Sequence, residues 1–139
     1  MNAQESAMLC RYVKACCPQQ AIDEHTPLAW AAHLAGVQYA DAYEAAKQIT
    51  SKQAFVTIAE VLAVVRQIRA KRIAEAPHPV PPPGLTEPEE RAWIAEARRR
   101  IGDGEVLAEA VGRTLEQRNL PELRALITRG PQTEETSDA

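Results

Sequence analysis

Three groups of residues in this chain are of types that do chemistry. Asp23, Glu24 and His25 are contiguous, an acid–acid–imidazole run of the sort that moves protons. Cys10, Cys16 and Cys17 place three thiols within eight residues, and thiolates serve as nucleophiles and metal ligands. Arg66, Arg69, Lys71 and Arg72 place four cations within seven residues, a density suited to carboxylates or phosphates. The first two groups explain themselves without a reaction. The acid–imidazole run lies between two helix-forming segments, where a solvated turn accounts for it. The cysteines have no histidine at zinc-site intervals, His25 and His33 included. Cys10 and Cys17 are seven apart, share a helix face with Val13, and read as small buried hydrophobes. Asp41 and Glu44, one helical turn apart, read as an exposed face. Gly102 and Gly104 follow no strand, so they form no nucleotide fingerprint, and no nucleophile elbow or HExxH run is present. The sequence is therefore read as a non-enzyme with no catalytic residue, no metal site and no cofactor.

The elements that position the remaining cations are helical. Alanine is frequent, aromatics make up 4% of the 139 residues, and β-branched runs are short, a composition favouring helix over sheet. The net charge is −3 but uneven: residues 1–76 carry a net +1 and residues 77–139 a net −4. No whole-molecule basic field exists to coat nucleic acid. No run of about 18 apolar residues is present, so no transmembrane helix is expected. The N-terminus lacks a basic segment followed by an apolar one. With an odd cysteine count, this gives the expectation of a cytoplasmic protein with reduced thiols.

Four helices are expected in residues 1–76. The first covers 3–16, with Met8, Leu9, Tyr12, Val13 and Cys16 as its apolar face and Pro18 as its stop. The second starts at Thr26-Pro27, with Thr26 as N-cap, and ends at Gly36. The third covers 39–50, with a stripe of Tyr39, Ala42, Tyr43, Ala46 and Ile49. The fourth is capped by Thr57 and Glu60 and runs to about residue 75. Residues 77–88 read PHPVPPPGLTEP, six prolines in twelve. They read as a semi-rigid polyproline-like spacer. Residues 89–129 carry amphipathic helical stripes, Trp93-Ile94-Ala97-Ile101 and Leu120-Leu123-Ile127 among them. Residues 130–139 read as a disordered acidic tail. The expected architecture is all-α: a small four-helix N-terminal bundle, a proline-rich linker, weakly packed C-terminal helices and the tail.

On a helical wheel, Ile58, Val61, Leu62, Val65 and Ile68 fall on one side of the fourth helix. Arg69 and Arg72 continue that side, while Arg66 and Lys71 sit off it. Three readings stay open. The cations complement the C-terminal dipole and cover the core edge with their stems; or they face an acidic protein groove; or they meet phosphates, with modest, salt-dependent affinity. Without interleaved aromatics, base stacking has no support.

The run Trp30, Tyr39-x-Asp41-Ala42, Ala45-Ala46, Ile58-Ala59-Glu60-Val61, Ile68-Arg69-x-x-Arg72 resembles the N-terminal domain of the phage helicase loader/inhibitor family, found in bacteriophages and actinobacterial prophages. The resemblance covers about residues 5–76. Many relatives have proline where this sequence has Ile58. The resemblance implies a helical adaptor of DNA replication that binds a hexameric replicative helicase, together with an origin-binding replication protein, and loads or restrains the helicase. Its C-terminal part would make the helicase contact. Arg66, Arg69, Lys71, Arg72, Trp93, Ile94, Ile101, Leu123 and Ile127 are the expected partner-binding residues, on a monomer or small homo-oligomer. The alternatives are a small DNA-binding regulator using the basic end of the fourth helix, and a structural protein that oligomerises through its alanine-rich faces.

Overall fold

The computed structural model of the chain describes residues 1–106 and 108. Among them are five helices and no strand: α1 (Ala3–Cys16), α2 (Thr26–His33), α3 (Tyr39–Thr50), α4 (Ile58–Glu75) and α5 (Glu87–Gly102). The chain divides into two compact units, Met1–Ala74 and Glu75–Ala139.

In the first unit α1 and α4 start at reciprocal capping boxes, whereas the N-caps of α2 and α3, His25 and Gln38, make no side-chain cap bond. The Asn2 side chain accepts from the Glu5 N–H at 2.8 Å, and the Asn2 N–H donates to the Glu5 carboxylate at 2.9 Å, a reciprocal box that opens α1. Thr57 and Glu60 do the same for α4, at 2.9 and 3.3 Å. For α2 Thr26 is the first helical residue and not the N-cap, and Asp23 ties down the turn before it. Its carboxylate accepts from the N–H groups of His25 and Thr26, both at 2.9 Å, and from the Thr26 hydroxyl at 3.0 Å. The Thr26 hydroxyl and these two N–H groups hold the Asp23 carboxyl below its usual range. So Asp23-Glu24-His25 is a solvated, capping turn. Gly36 is not what ends α2, because the helix closes earlier, with the Leu34 N–H on the Trp30 carbonyl. The Met1 ammonium donates to the carbonyls of Leu34, Ala35 and Val37 just beyond, at 3.3, 2.9 and 2.9 Å. A cation at the negative end of a helix is the favourable arrangement.

α1 packs against α2 and α3, and its buried face keeps the expected Leu9, Val13, Cys10 and Cys17 but not Met8 or Cys16. Ser6, Leu9, Cys10 and Val13 are buried, with Cys17 just beyond the helix, whereas Met8 is 47% exposed and Cys16 is exposed. The reason is Ser6. Its hydroxyl donates to the Pro27 carbonyl at 2.6 Å, which seats the start of α2 on the Ser6–Cys10 side. On α2, Trp30 and Leu34 enter the core while Leu28 stays 68% exposed. On α3 the buried residues are Asp41, Ala42, Ala45, Ala46 and Ile49. Three alanines on this face let neighbouring helices approach closely, and Tyr43 is left on the surface. α4 gives the core Val61 and Val65, with Ile58, Leu62 and Val64 packed on its edge.

In the second unit α5 starts two residues before the expected position. Thr86 is its N-cap, with Pro88 in the first turn: the Glu89 carboxylate accepts from both the N–H and the hydroxyl of Thr86, at 2.7 Å each. Three acids then lie in its first turn and Arg99 and Arg100 in its last, the order the helix dipole favours. Gly104 takes φ +93° just after the helix, a conformation glycine adopts without a Cβ clash. Leu123, Ile127 and the tail 130–139 lie outside the described residues.

Candidate functional site

The four cations of α4 divide into pairs of different character. Arg66 and Lys71 are exposed, about 140° apart around the helix. Arg69 and Arg72 are half-buried on the side that continues the apolar stripe. Arg72 reaches α3: its two terminal nitrogens donate to the two oxygens of Asp41, at 2.8 and 2.6 Å. The Asp41 side chain is 3% exposed and that of Arg72 35%. This fork-to-fork geometry is the strong form of the arginine–carboxylate bond. It corrects two expectations. Asp41 belongs to the interior and not to a solvated face, and Arg72 is directed inward to α3. Arg69 and Lys71 also take part in polar or electrostatic interactions, so the basic end of α4 is not a row of four idle cations.

The expected anchors on α5 are likewise placed inward. Trp93 is 1% and Ile101 5% exposed, and Ile94 is half-buried. The indole N–H of Trp93 is buried without a hydrogen-bond acceptor. An anchoring role for Trp93 or Ile101 therefore requires their side chains to be uncovered first. Alongside them the last turns of α5 carry a charge network. Glu96 accepts from Arg99 at 2.7 and 2.9 Å and from Arg100 at 3.0 Å, and Arg99 donates to Asp103 at 2.8 Å. Beside Arg99 above all, and then Arg100, the Glu96 carboxyl is pulled down to about 2. The same contacts push Arg99 further up.

One surface feature has no counterpart in the sequence reading. Tyr12 of α1 and Tyr43 of α3 meet with ring centroids 4.7 Å apart, and Tyr39 lies 6.2 Å from Tyr43. Tyr12 and Tyr39 are half-buried; Tyr43 is 38% and Met8 47% exposed. The spacing Met8/Tyr12 and Tyr39/Tyr43 is the available sequence signal: each pair is four apart on its helix. An i,i+4 spacing marks a stripe without saying which side of the helix is buried. Tyrosine and methionine are enriched in protein interfaces.

A groove of about 220 Å³ lies at the C-terminal end of α3, lined by Gln48, Ile49, Lys52, Gln53, Val64 and Gln67 among others. It is smaller than the roughly 300–1,000 Å³ typical of small-molecule sites. The Gln53 amide spans it to Glu60 at 2.7 Å. Among the described residues no three His, Cys, Asp or Glu side chains converge as metal ligands. The three cysteines are unpaired thiols, and burial pushes those of Cys10 and Cys17 up. No described helix is long and apolar enough to cross a membrane. No family model, curated protein or solved structure matches the chain.

Proposed function

We propose that this chain is a non-catalytic, cytoplasmic adaptor of DNA replication that binds a hexameric replicative helicase and loads or restrains it. The observation that carries the reading is the ordered residue pattern from Trp30 to Arg72 together with what joins its parts. Trp30, Ala42, Ala45, Ala46 and Val61 are core residues, and the Asp41 of Tyr-x-Asp-Ala holds the Arg72 of Ile-Arg-x-x-Arg. The pattern is thus the signature of one folded block, and the function follows from the family that the block resembles. A protein-binding role is further supported by the exposed Met8 and Tyr43 beside Tyr12, residue types that dominate contact energies. The DNA-binding alternative draws less support, because Arg72 is directed to Asp41 and Arg66 and Lys71 face different sides.

The test is to mix the full chain with a purified phage or actinobacterial replicative helicase and run a sizing column. Co-elution that persists at high salt is the expected result, since apolar contact is weakly screened. A helicase peak that does not move sinks the proposal. Binding to duplex DNA that falls steeply with added salt would favour the alternative instead.

A further inference from the structure

The loop between α3 and α4 holds a large apolar side chain out in water. Phe55, the chain's one phenylalanine, is 51% exposed, and the backbone around it is clamped. The Gln20 amide donates to the Val56 carbonyl at 2.8 Å and accepts from the Val56 N–H at 2.7 Å. The Gln53 amide donates to the Phe55 carbonyl at 2.7 Å and, at the same distance, to Glu60. Val56 itself belongs to the core. An aromatic ring on a loop fixed in this way has little backbone freedom left to lose on binding. Gln53 and Glu60 also line the groove of about 220 Å³, which therefore lies beside this loop. A cavity of about 150 Å³ holds a benzene molecule. The groove is thus of a size for one phenyl ring, and Ile49, Ala63 and Val64 give it apolar lining.

We propose that this end of the first unit is a self-association surface: two copies of the chain pair about a two-fold axis, with Phe55 of each seated in the groove of the other. A two-fold contact needs one patch that complements itself, and this patch does so in shape, charge and hydrogen bonding. It carries a knob and a hole side by side. Lys52 and Glu60 both line the groove, so a two-fold pairing sets each cation toward the other copy's anion, whereas a patch of one sign would repel its copy. Gln48 and Gln67 end in amides, which donate and accept and so pair with their own kind. A small surface with one aromatic anchor suits a reversible dimer and not a permanent one. The pairing stands apart from the helicase reading, because its test uses this chain alone.

Sedimentation of the full chain over a concentration series up to about 0.5 mM tests it. The parent should pass from monomer to dimer as concentration rises. Phe55→Ala, a change at an exposed side chain, should raise the dimer dissociation constant at least about tenfold. So should Ala63→Phe, which fills the groove from an exposed position on α4. An equal mixture of the two variants brings one knob to one open groove, and it should dimerise more tightly than either variant alone. Tyr43→Ser, on the α1 side of α3, should stay within about twofold of the parent, as residues outside the anchor do. A parent that remains monomeric overturns the proposal. So does a dimer that Tyr43→Ser weakens and Phe55→Ala does not, or a mixture no tighter than its components.

Discussion

Asp41 and Glu96 are both helix-borne carboxylates held by arginine, and they are held in opposite ways. Glu96 bonds Arg99 and Arg100, three and four residues along its own helix, contacts that the spacing within α5 sets by itself. Asp41 bonds Arg72, 31 residues away, and joins two helices. Glu96 is 27% exposed and Asp41 3%. The difference teaches what each acid can do. A local pair follows from spacing and contributes a few tenths of a kcal/mol, as helix-surface pairs do. A buried long-range pair contributes little net stability over an apolar pair of the same shape, but breaking it from one side is costly. It acts through register: it states which turn of α4 faces which turn of α3.

The comparison can be broken at its strong end first. Arg72→Ala leaves Asp41 buried and without its counter-ion. It should lower the unfolding free energy in urea by about 2–3 kcal/mol, below the full range for buried pairs because the Arg72 side chain is 35% exposed. A loss under about 0.5 kcal/mol would make Asp41–Arg72 equivalent to a surface pair. Acid sharpens the other side. The Glu96 carboxyl is lowered from 4.5 to about 2 in the fold. The stability it contributes is therefore complete above about pH 4.5 and lost as pH falls toward 2. Acid titration of Glu96→Gln should lack that part of the transition, and an unchanged profile would remove Glu96 from the account. The smallest effect belongs to Glu87–Arg91, whose side chains are 74% and 76% exposed. Glu87→Ala should change stability by less than about 0.5 kcal/mol, as read from a thermal melt.

What could be read from the sequence was local. The Thr57–Glu60 box, Pro18, the proline-rich segment 77–88 and the break at 102–104 are each local in sequence, and helices begin or end beside them. The Thr86-x-x-Glu89 start of α5 was equally local but was masked by Pro88, which also signals a first turn. Which side of each helix faces inward was less legible. On α1 the seven-residue spacing of Cys10 and Cys17 correctly marks them as buried with Val13, whereas Met8 and Cys16, assigned to the same apolar face, are exposed, and the Ser6–Pro27 contact across 21 residues is one that periodicity does not contain. Asp41 failed for the same reason. An acid on a helix is solvated by default, and only the fold delivers the guanidinium that reverses this. Of the expected site, Arg66 and Lys71 are exposed as the sequence suggested, while Arg72, Trp93 and Ile101 are turned inward.

The two tryptophans are divided one to each unit, Trp30 at 6% exposure in the first and Trp93 at 1% in the second. All three tyrosines belong to the first. Each unit thus carries its own intrinsic fluorophore, and replacing either indole by phenylalanine isolates the emission of the other. A spectral shift on mixing with any binding protein then reports which half of the chain responds, without an attached dye.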